Sequence, residues 1–231
     1  MDAVVLAAGL GTRLRPQTLT TPKPLLPIQG RPILDWTLGA LPRDVERVVV
    51  VVNYLAEQIE DYLSKQKHFA NWAAVRQLQP RGTGDALRCC RGKIEADRFL
   101  VLNGDDLYGA ADLAKLSKHS AGLLAHPVQE PSQFGIVFAR EGILQQLTEK
   151  PQGLPAPQLA NIGAYLFPRL ALDIELPLSP RGEYEITDAV TAVASQQPFQ
   201  VVPATFWLPI GNVEAWEKAQ TADLSAVRRE N

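Results

Sequence analysis

The chain has 231 residues, 46% of them hydrophobic, enough for one large domain or two small ones with a buried core. Its formal net charge is -2 with 21% charged residues, which excludes a protein that binds nucleic acid over its whole surface, because that requires a strongly basic domain. The two cysteines, Cys89 and Cys90, are adjacent and fit neither a disulfide framework nor a zinc site, so a reducing, intracellular setting is expected.

The first apolar run, AVVLAA (3–8), is too short for a buried helix and reads as a strand. It is also too short for the apolar part of a secretory signal, and no basic segment precedes it. No stretch approaches the length of a membrane span. A cytoplasmic protein with no membrane partner is the expectation. The strand opens into LAAGLGTRLRPQTLTTPKPLLPI (6–28). From Ala3 through Leu34 there is no Asp or Glu, yet Arg13, Arg15, Lys23 and Arg31 all fall there. Surface charge is ordinarily mixed in sign. An unbalanced cationic segment rich in Gly, Thr and Pro implies an anionic ligand.

RVVVVVN (47–53) predicts a second strand. In LAEQIEDYLSKQ (55–66), Leu55, Ile59, Tyr62 and Leu63 keep the i, i+4, i+7, i+8 stripe of an amphipathic helix. RFLVLNGD (98–105) repeats the strand signal, and AADLAKLSKHS (110–120) the helix signal. Continuous apolar strands suit a sheet covered on both faces. Alternation of strand and helix predicts an α/β fold of three layers, doubly wound around a mostly parallel mixed sheet. After about Glu130 the pattern loosens. FGIVFAR (134–140) and NIGAYLF (161–167) read as strands around a Pro-rich loop at 151–158. A helix follows over 185–196, a strand over 199–206, and a last helix from about Val213. The expected division is a single domain over 1–231, with the cationic loop in a half of about 1–130 and a mixed half of about 131–231.

Gly9 and Gly11 follow the first strand, where doubly wound sheets bind their ligands. Lacking Cβ atoms, they let backbone N–H groups curve around an anion, while Arg13 and Lys23 add full charges. The loop is not a dinucleotide G-x-G-x-x-G, which would need glycine where Leu14 stands. It is not a P-loop either, since Gly-Lys-Ser/Thr is absent.

Residues 6–28 resemble the signature of the sugar-1-phosphate nucleotidylyltransferases, L-A-A-G-x-G-T-R-L-x-P followed by P-K-x-L-x-P. QLQPRGTGDAL (77–87), VLNGDDLYG (101–109), FGIV (134–137), TEKP (148–151), NIGAYLF (161–167) and GEYEITDAV (182–190) extend the resemblance over nearly the whole chain. It is nearest in character to the glucose-1-phosphate thymidylyl- and uridylyltransferases. The resemblance implies a Rossmann-like nucleotide-diphospho-sugar transferase fold. It implies a reaction joining a nucleoside triphosphate, dTTP or UTP favoured, to a sugar 1-phosphate, glucose 1-phosphate favoured, with release of pyrophosphate. It also implies Mg2+ as cofactor. The partners are then those two small molecules, with no nucleic acid, and self-association stays open.

By the same resemblance, Arg13 holds the triphosphate and steadies the leaving pyrophosphate, and Gly11 and Thr12 add backbone contacts. Lys23 bridges the α-phosphate and the sugar phosphate. Leu6, Ala8 and Gly9 line the base pocket with Gly82 and Thr83. Gln77 reads a pyrimidine through its amide, which offers one donor and one acceptor face, and Gln79 competes for that role if the loop register differs. Asp105, at a strand end, is the catalytic metal ligand. Gly135, Glu149, Lys150 and Asn161 form the sugar-phosphate side, so the second half of the chain faces the sugar. Tyr165 either flanks Asn161 or belongs to the core. Glu183 to Asp188 reads as mainly structural, since acids near a helix N-terminus are favoured by its dipole. Arg15 is left between ligand and surface cation. His68 and His119 read as surface residues and the four tryptophans as core.

FWLPIGNVEAW (206–216) departs from the family pattern. The family carries a second metal aspartate in W-x-D-x-G, and here that position is Pro209. Asn212 is the candidate replacement, because an amide oxygen can bind Mg2+, and its alternative role is a helix N-cap. The departure keeps open a catalytically impaired protein that binds nucleotide sugar and regulates a partner. A transferase for mannose, hexosamine or N-acetylmuramic acid 1-phosphate, or a choline-phosphate cytidylyltransferase, also stays open. A glycosyltransferase would show Asp-x-Asp where Asp105 and Asp106 are adjacent. No β-helix or acyltransferase extension follows FWLPIG, so the transfer step alone is expected.

Overall fold

The computed structural model describes residues 1–229. Its first half alternates as the apolar runs require: β1 (Asp2–Leu6), a small hairpin of β2 (Pro27–Ile28) and β3 (Arg31–Pro32), α1 (Ile33–Ala40), β4 (Arg47–Val52), α2 (Ala56–Lys65), β5 (Trp72–Arg76), α3 (Thr83–Cys89), β6 (Arg98–Asn103), β7 (Asp106–Tyr108) and α4 (Ala110–Leu116). The second half is mixed: β8 (Gly122–Val128), β9 (Gly135–Arg140), β10 (Ile143–Glu149), β11 (Gln158–Pro168), α5 (Ile186–Ala194), β12 (Gln200–Pro203), β13 (Trp207–Pro209) and α6 (Val213–Ala219).

One nine-stranded sheet runs through both halves in the order β5-β4-β1-β6-β11-β8-β12-β10-β9. The strands β5, β4, β1 and β6 are parallel. β11 then enters antiparallel between β6 and β8, and β8 and β12 are parallel again. Alternate residues along a strand face opposite sides, and the packing follows. Ala3 and Val5 join one core with side chains of α1, α2, α4 and α6. Val4 joins a second core with α3 and α5. The result is the expected three layers. Among the described residues no helix is long and apolar enough to cross a membrane.

Several expected boundaries shift for physical reasons. β1 ends at Leu6, and Ala7 and Ala8 already belong to the following loop, although Ala7 still donates to Val51 O at 2.8 Å. The strand expected over 199–206 ends at Pro203 in the main sheet, with Ala204 N still donating to Ala125 O at 2.8 Å, and residues 207–209 turn away to pair with β7 in a separate two-stranded sheet as β13. α1 was not foreseen, because Ile33, Leu34, Trp36, Leu38 and Ala40 are all buried and leave no polar face to mark a period.

His68 also departs from the surface role expected of it. Its Nε2 lies 3.0 Å from Asp35 Oδ1, which also accepts from the Tyr62 hydroxyl at 2.7 Å. Arg31 Nε donates to Asp35 Oδ2 at 2.7 Å. Burial pushes the Asp35 carboxyl upward, but the bonds from Tyr62, Arg31 and His68 together outweigh it and hold it below the ordinary carboxylate range. A carboxylate depressed in the folded state stabilises the protein above its unfolded pKa, and that contribution disappears as pH falls through the folded value. We therefore expect Asp35→Ala to destabilise clearly at pH 7 and progressively less below pH 3.8, the unperturbed value. Urea unfolding of both proteins across pH checks this; a difference that grows on acidification would contradict it.

Candidate active site

The chain runs outward from β1 through β4 to β5, then returns to β6 on the other side of β1. Ligands in such sheets bind beyond the carboxyl ends of the strands at this reversal. A cavity of about 550 Å³ opens there. The segment after β1 lines it with Leu6, Ala8, Gly9, Gly11, Thr12 and Arg13, and Lys23 joins them. Gln77 reaches it from the end of β5, Gly82 and Thr83 from the start of α3, and Asp105 from the end of β6. Every residue that the sequence assigns to the nucleotide side therefore shares one cavity with Lys23 and Asp105.

The loop after β1 is pinned from within. Gly11 has φ +62°, a conformation glycine adopts at little cost. A Cβ on it would stand 3.0 Å from Thr18 Cγ2 and 3.1 Å from Lys23 Cβ. The buried Thr18 hydroxyl donates to Gly11 O at 2.8 Å, and Leu14 N donates to the same oxygen at 2.9 Å. Arg13 is exposed and borders the cavity. Arg15 is exposed as well but does not line it.

Lys23 Nζ donates to Asp105 Oδ2 at 2.6 Å. The pair is asymmetric: the lysine side chain is 8% exposed and the aspartate 40%. Asp105 thus presents free carboxylate surface to the cavity while anchoring a nearly buried ammonium. Its neighbour Asp106 turns the other way. Burial, and then the charge of Asp105, push the Asp106 carboxyl well above its ordinary range. β13 pairs with β7 so that Pro209 faces Asp106 in register, and Ile210 N donates to Asp105 O at 3.1 Å. This strand carries Gly211 to the cavity edge, and a Cβ there would lie 3.8 Å from Arg13 Nη1. Asn212 serves as the N-cap of α6: its Oδ1 accepts from Ala215 N at 2.8 Å, and it does not line the cavity.

Sequence reasoning missed part of the wall. Arg181, Glu183 and Glu185 line the cavity, as does Asn103. The segment before α5 is fastened to α3, with Tyr184 N on Arg81 O and Gly84 N on Tyr184 O, both at 2.8 Å. Ile186 N donates to Thr83 Oγ1 at 3.1 Å. Arg181 pairs with Glu185 at 2.7 Å. The acids read as helix-start structure therefore also face the site.

Gly135, Glu149, Lys150 and Asn161 do not line this cavity. Gly135 and Glu149 face each other across β9 and β10. Lys150 follows in a left-handed conformation with its N–H on Phe134 O. Burial and then Glu185 raise the Glu149 carboxyl, and Arg181 opposes that shift. Glu149 is thus within electrostatic reach of the Arg181–Glu185 wall. Asn161 donates to the Tyr165 hydroxyl at 2.8 Å, and Tyr165 is core.

Gly82 tests the construction. It sits at φ +98°, and a Cβ there would overlap the Tyr184 carbonyl oxygen. We expect Gly82→Ala to cost about 1–3 kcal/mol from backbone strain alone. Thermal unfolding should fall by roughly 2–4 °C per kcal/mol in a protein of this size; an unchanged Tm would show that the wall is not fastened as described.

A family profile described as nucleotidyl transferase matches residues 2–226. The chain is 33% identical over 215 residues to the bifunctional protein GlmU of Methanocaldococcus jannaschii, covering 91% of this chain and 51% of that protein. It is 30% identical to the catalytic subunit beta of mannose-1-phosphate guanylyltransferase from Xenopus tropicalis, covering 100% of this chain and 67% of that one. The fold matches a crystal structure of UDP-glucose pyrophosphorylase complexed with UDP-glucose with a TM-score of 0.83 at 24% identity, over 95% and 96% of the two chains. The chain spans about half the length of the GlmU relatives it matches.

Proposed function

The chain belongs to the nucleotidyl transferase family, and from that premise we propose that it joins a nucleoside triphosphate to a sugar 1-phosphate, releasing pyrophosphate. The favoured pair is UTP or dTTP with glucose 1-phosphate. The observation that carries the reading is the shared cavity, which a glycine loop, Arg13, Lys23, Asp105 and Gln77 line together.

The physical problem is the approach of two polyanions. A phosphate monoester has a second pKa near 6, so it is mostly a dianion at pH 7 and needs no general base. Two unit charges 4 Å apart repel by about 4 kcal/mol at an effective dielectric of 20. Several such pairs would prevent reaction, so positioning and charge neutralisation supply the catalysis. A sugar-phosphate oxygen forms a bond to the α-phosphorus. The bond from that phosphorus to the bridging oxygen of the β-phosphate breaks in line, and pyrophosphate leaves with the electron pair. In this reading Gly11, Thr12 and Arg13 hold the departing phosphates, and Lys23 sits between the reacting ones. Arg181 meets the sugar phosphate from the cavity lining, and Glu149, Lys150, Gly135 and Asn161, which lie outside that lining, contact the sugar phosphate in this reading by the family resemblance.

Asp105 suits Mg2+, which takes hard oxygen ligands and commonly binds through one or two carboxylates plus substrate phosphates. Among the described residues no cluster of three metal-ligating side chains exists, so phosphate oxygens and water would complete the shell. Bound there, the ion would add positive charge beside the phosphates. Asn212 is better assigned to its cap, since the oxygen that would ligate is engaged by Ala215 N.

Pro209, where the family pattern has an aspartate, favours a second reading: a protein that binds nucleotide sugar without turnover. Pyrophosphate release from a matrix of UTP, dTTP, GTP and CTP against glucose, mannose and N-acetylglucosamine 1-phosphates with Mg2+ separates the two. Turnover in any cell of the matrix supports the transferase; nucleotide binding with no turnover anywhere supports the second reading.

A further inference from the structure

Gln77 is hydrogen-bonded to the protein through both its backbone and its side chain. Its backbone N–H donates to Val52 O at 2.9 Å, and Asn53 Nδ2 donates to its carbonyl oxygen. Its side-chain Nε2 donates to Gly82 O at 3.0 Å and to Asp85 Oδ2 at 2.9 Å. An amide nitrogen carries two hydrogens, so both are committed to the protein. Turning the amide over would set Oε1 against a carbonyl oxygen and a carboxylate at hydrogen-bond distance, where three acceptors and no donor would meet. Asp85 is buried, and its other oxygen takes Arg81 Nη2 at 3.3 Å. The amide therefore has one polar atom left for the cavity, the acceptor Oε1.

Resting on the proposed nucleotide cavity, we propose that Asp85 is a positioning residue that sets the class of nucleobase. It locks the Gln77 amide with its carbonyl oxygen toward the ligand, so the pocket takes a base presenting a ring N–H there. Uracil and thymine present one at N3, and guanine at N1. Cytosine and adenine carry a bare acceptor nitrogen at the corresponding position.

The nearly isosteric pair UTP and CTP tests this by calorimetric binding, which requires no turnover. Wild type is expected to bind UTP at least about tenfold more tightly than CTP, the discrimination of one buried hydrogen bond. Asp85→Asn keeps an oxygen toward Nε2 and should keep the preference. Asp85→Leu removes one of the two acceptors that hold Nε2, leaving only Gly82 O at 3.0 Å, and should narrow the preference several-fold, whereas Gln77→Leu should abolish it; Asp85→Ala replaces the leucine variant if that one does not fold. A merely structural Asp85 would weaken both nucleotides equally and leave their ratio intact. That result, or a wild type without preference, overturns the proposal. A preference for UTP that depends on Asp85, without turnover on any sugar phosphate, would uphold it while refuting the transferase.

Discussion

Lys23→Met is expected to lower kcat/KM by about a hundredfold to a thousandfold, the usual loss when one preorganised donor to developing charge is removed. The same change should leave stability nearly untouched. It removes a nearly buried ammonium, and the partner left behind, Asp105, is 40% exposed and can be solvated. Burying a charge is costly even when it is paired, so an apolar isostere at position 23 relieves part of that cost. Loss of activity with Tm held or raised would mark Lys23 as functional machinery. A folded variant with activity near wild type would refute its role between the phosphates.

Asp105→Asn should lose activity to a comparable extent and lose stability as well. The Lys23 ammonium, 8% exposed, would then have no carboxylate at 2.6 Å. An uncompensated charge of that kind costs about 3–5 kcal/mol when fully buried, and the half-open partner reduces the expected loss to about 1–2 kcal/mol. The double variant should be more stable than Asp105→Asn alone, because it removes the stranded cation together with its partner. Its activity should be little lower than that of either single variant, since residues acting as one unit are not additive. Denaturant titration and steady-state kinetics on the four proteins check both statements. Additive losses of activity would show that the two side chains act independently.

The cationic glycine loop after β1 was legible because its information is local. A strand of β-branched residues, two glycines and unbalanced cations within residues 3–31 specify an anion loop with little help from the rest of the chain. Asp105 was readable at the end of a predicted strand, whereas Gln77 was picked out only by the family resemblance, because the strand before it was not predicted. The far wall was not legible, because its position depends on tertiary fastening. Nothing near Arg181 states that Tyr184 will bond to Arg81 and Gly84 and so bring this arginine to the cavity. The orientation of the Gln77 amide was likewise out of reach, since it depends on Asp85 one helical turn beyond Gly82. Periodicity failed at α1, which is buried nearly all around, and at β5, whose alanine-rich WAAVR lacks a strong strand signature. Asn212 shows a local rule prevailing over a resemblance: its oxygen does what an N-cap does in any helix.

If the loop from Gly9 to Arg13 and the Lys23–Asp105 pair receive a triphosphate, a crystal structure with UTP bound will show phosphate oxygens within hydrogen-bond distance of the Gly11–Arg13 backbone and of Lys23 Nζ, with the base beside Gln77. A triphosphate bound away from that loop, with the loop itself free of ligand, would contradict that placement.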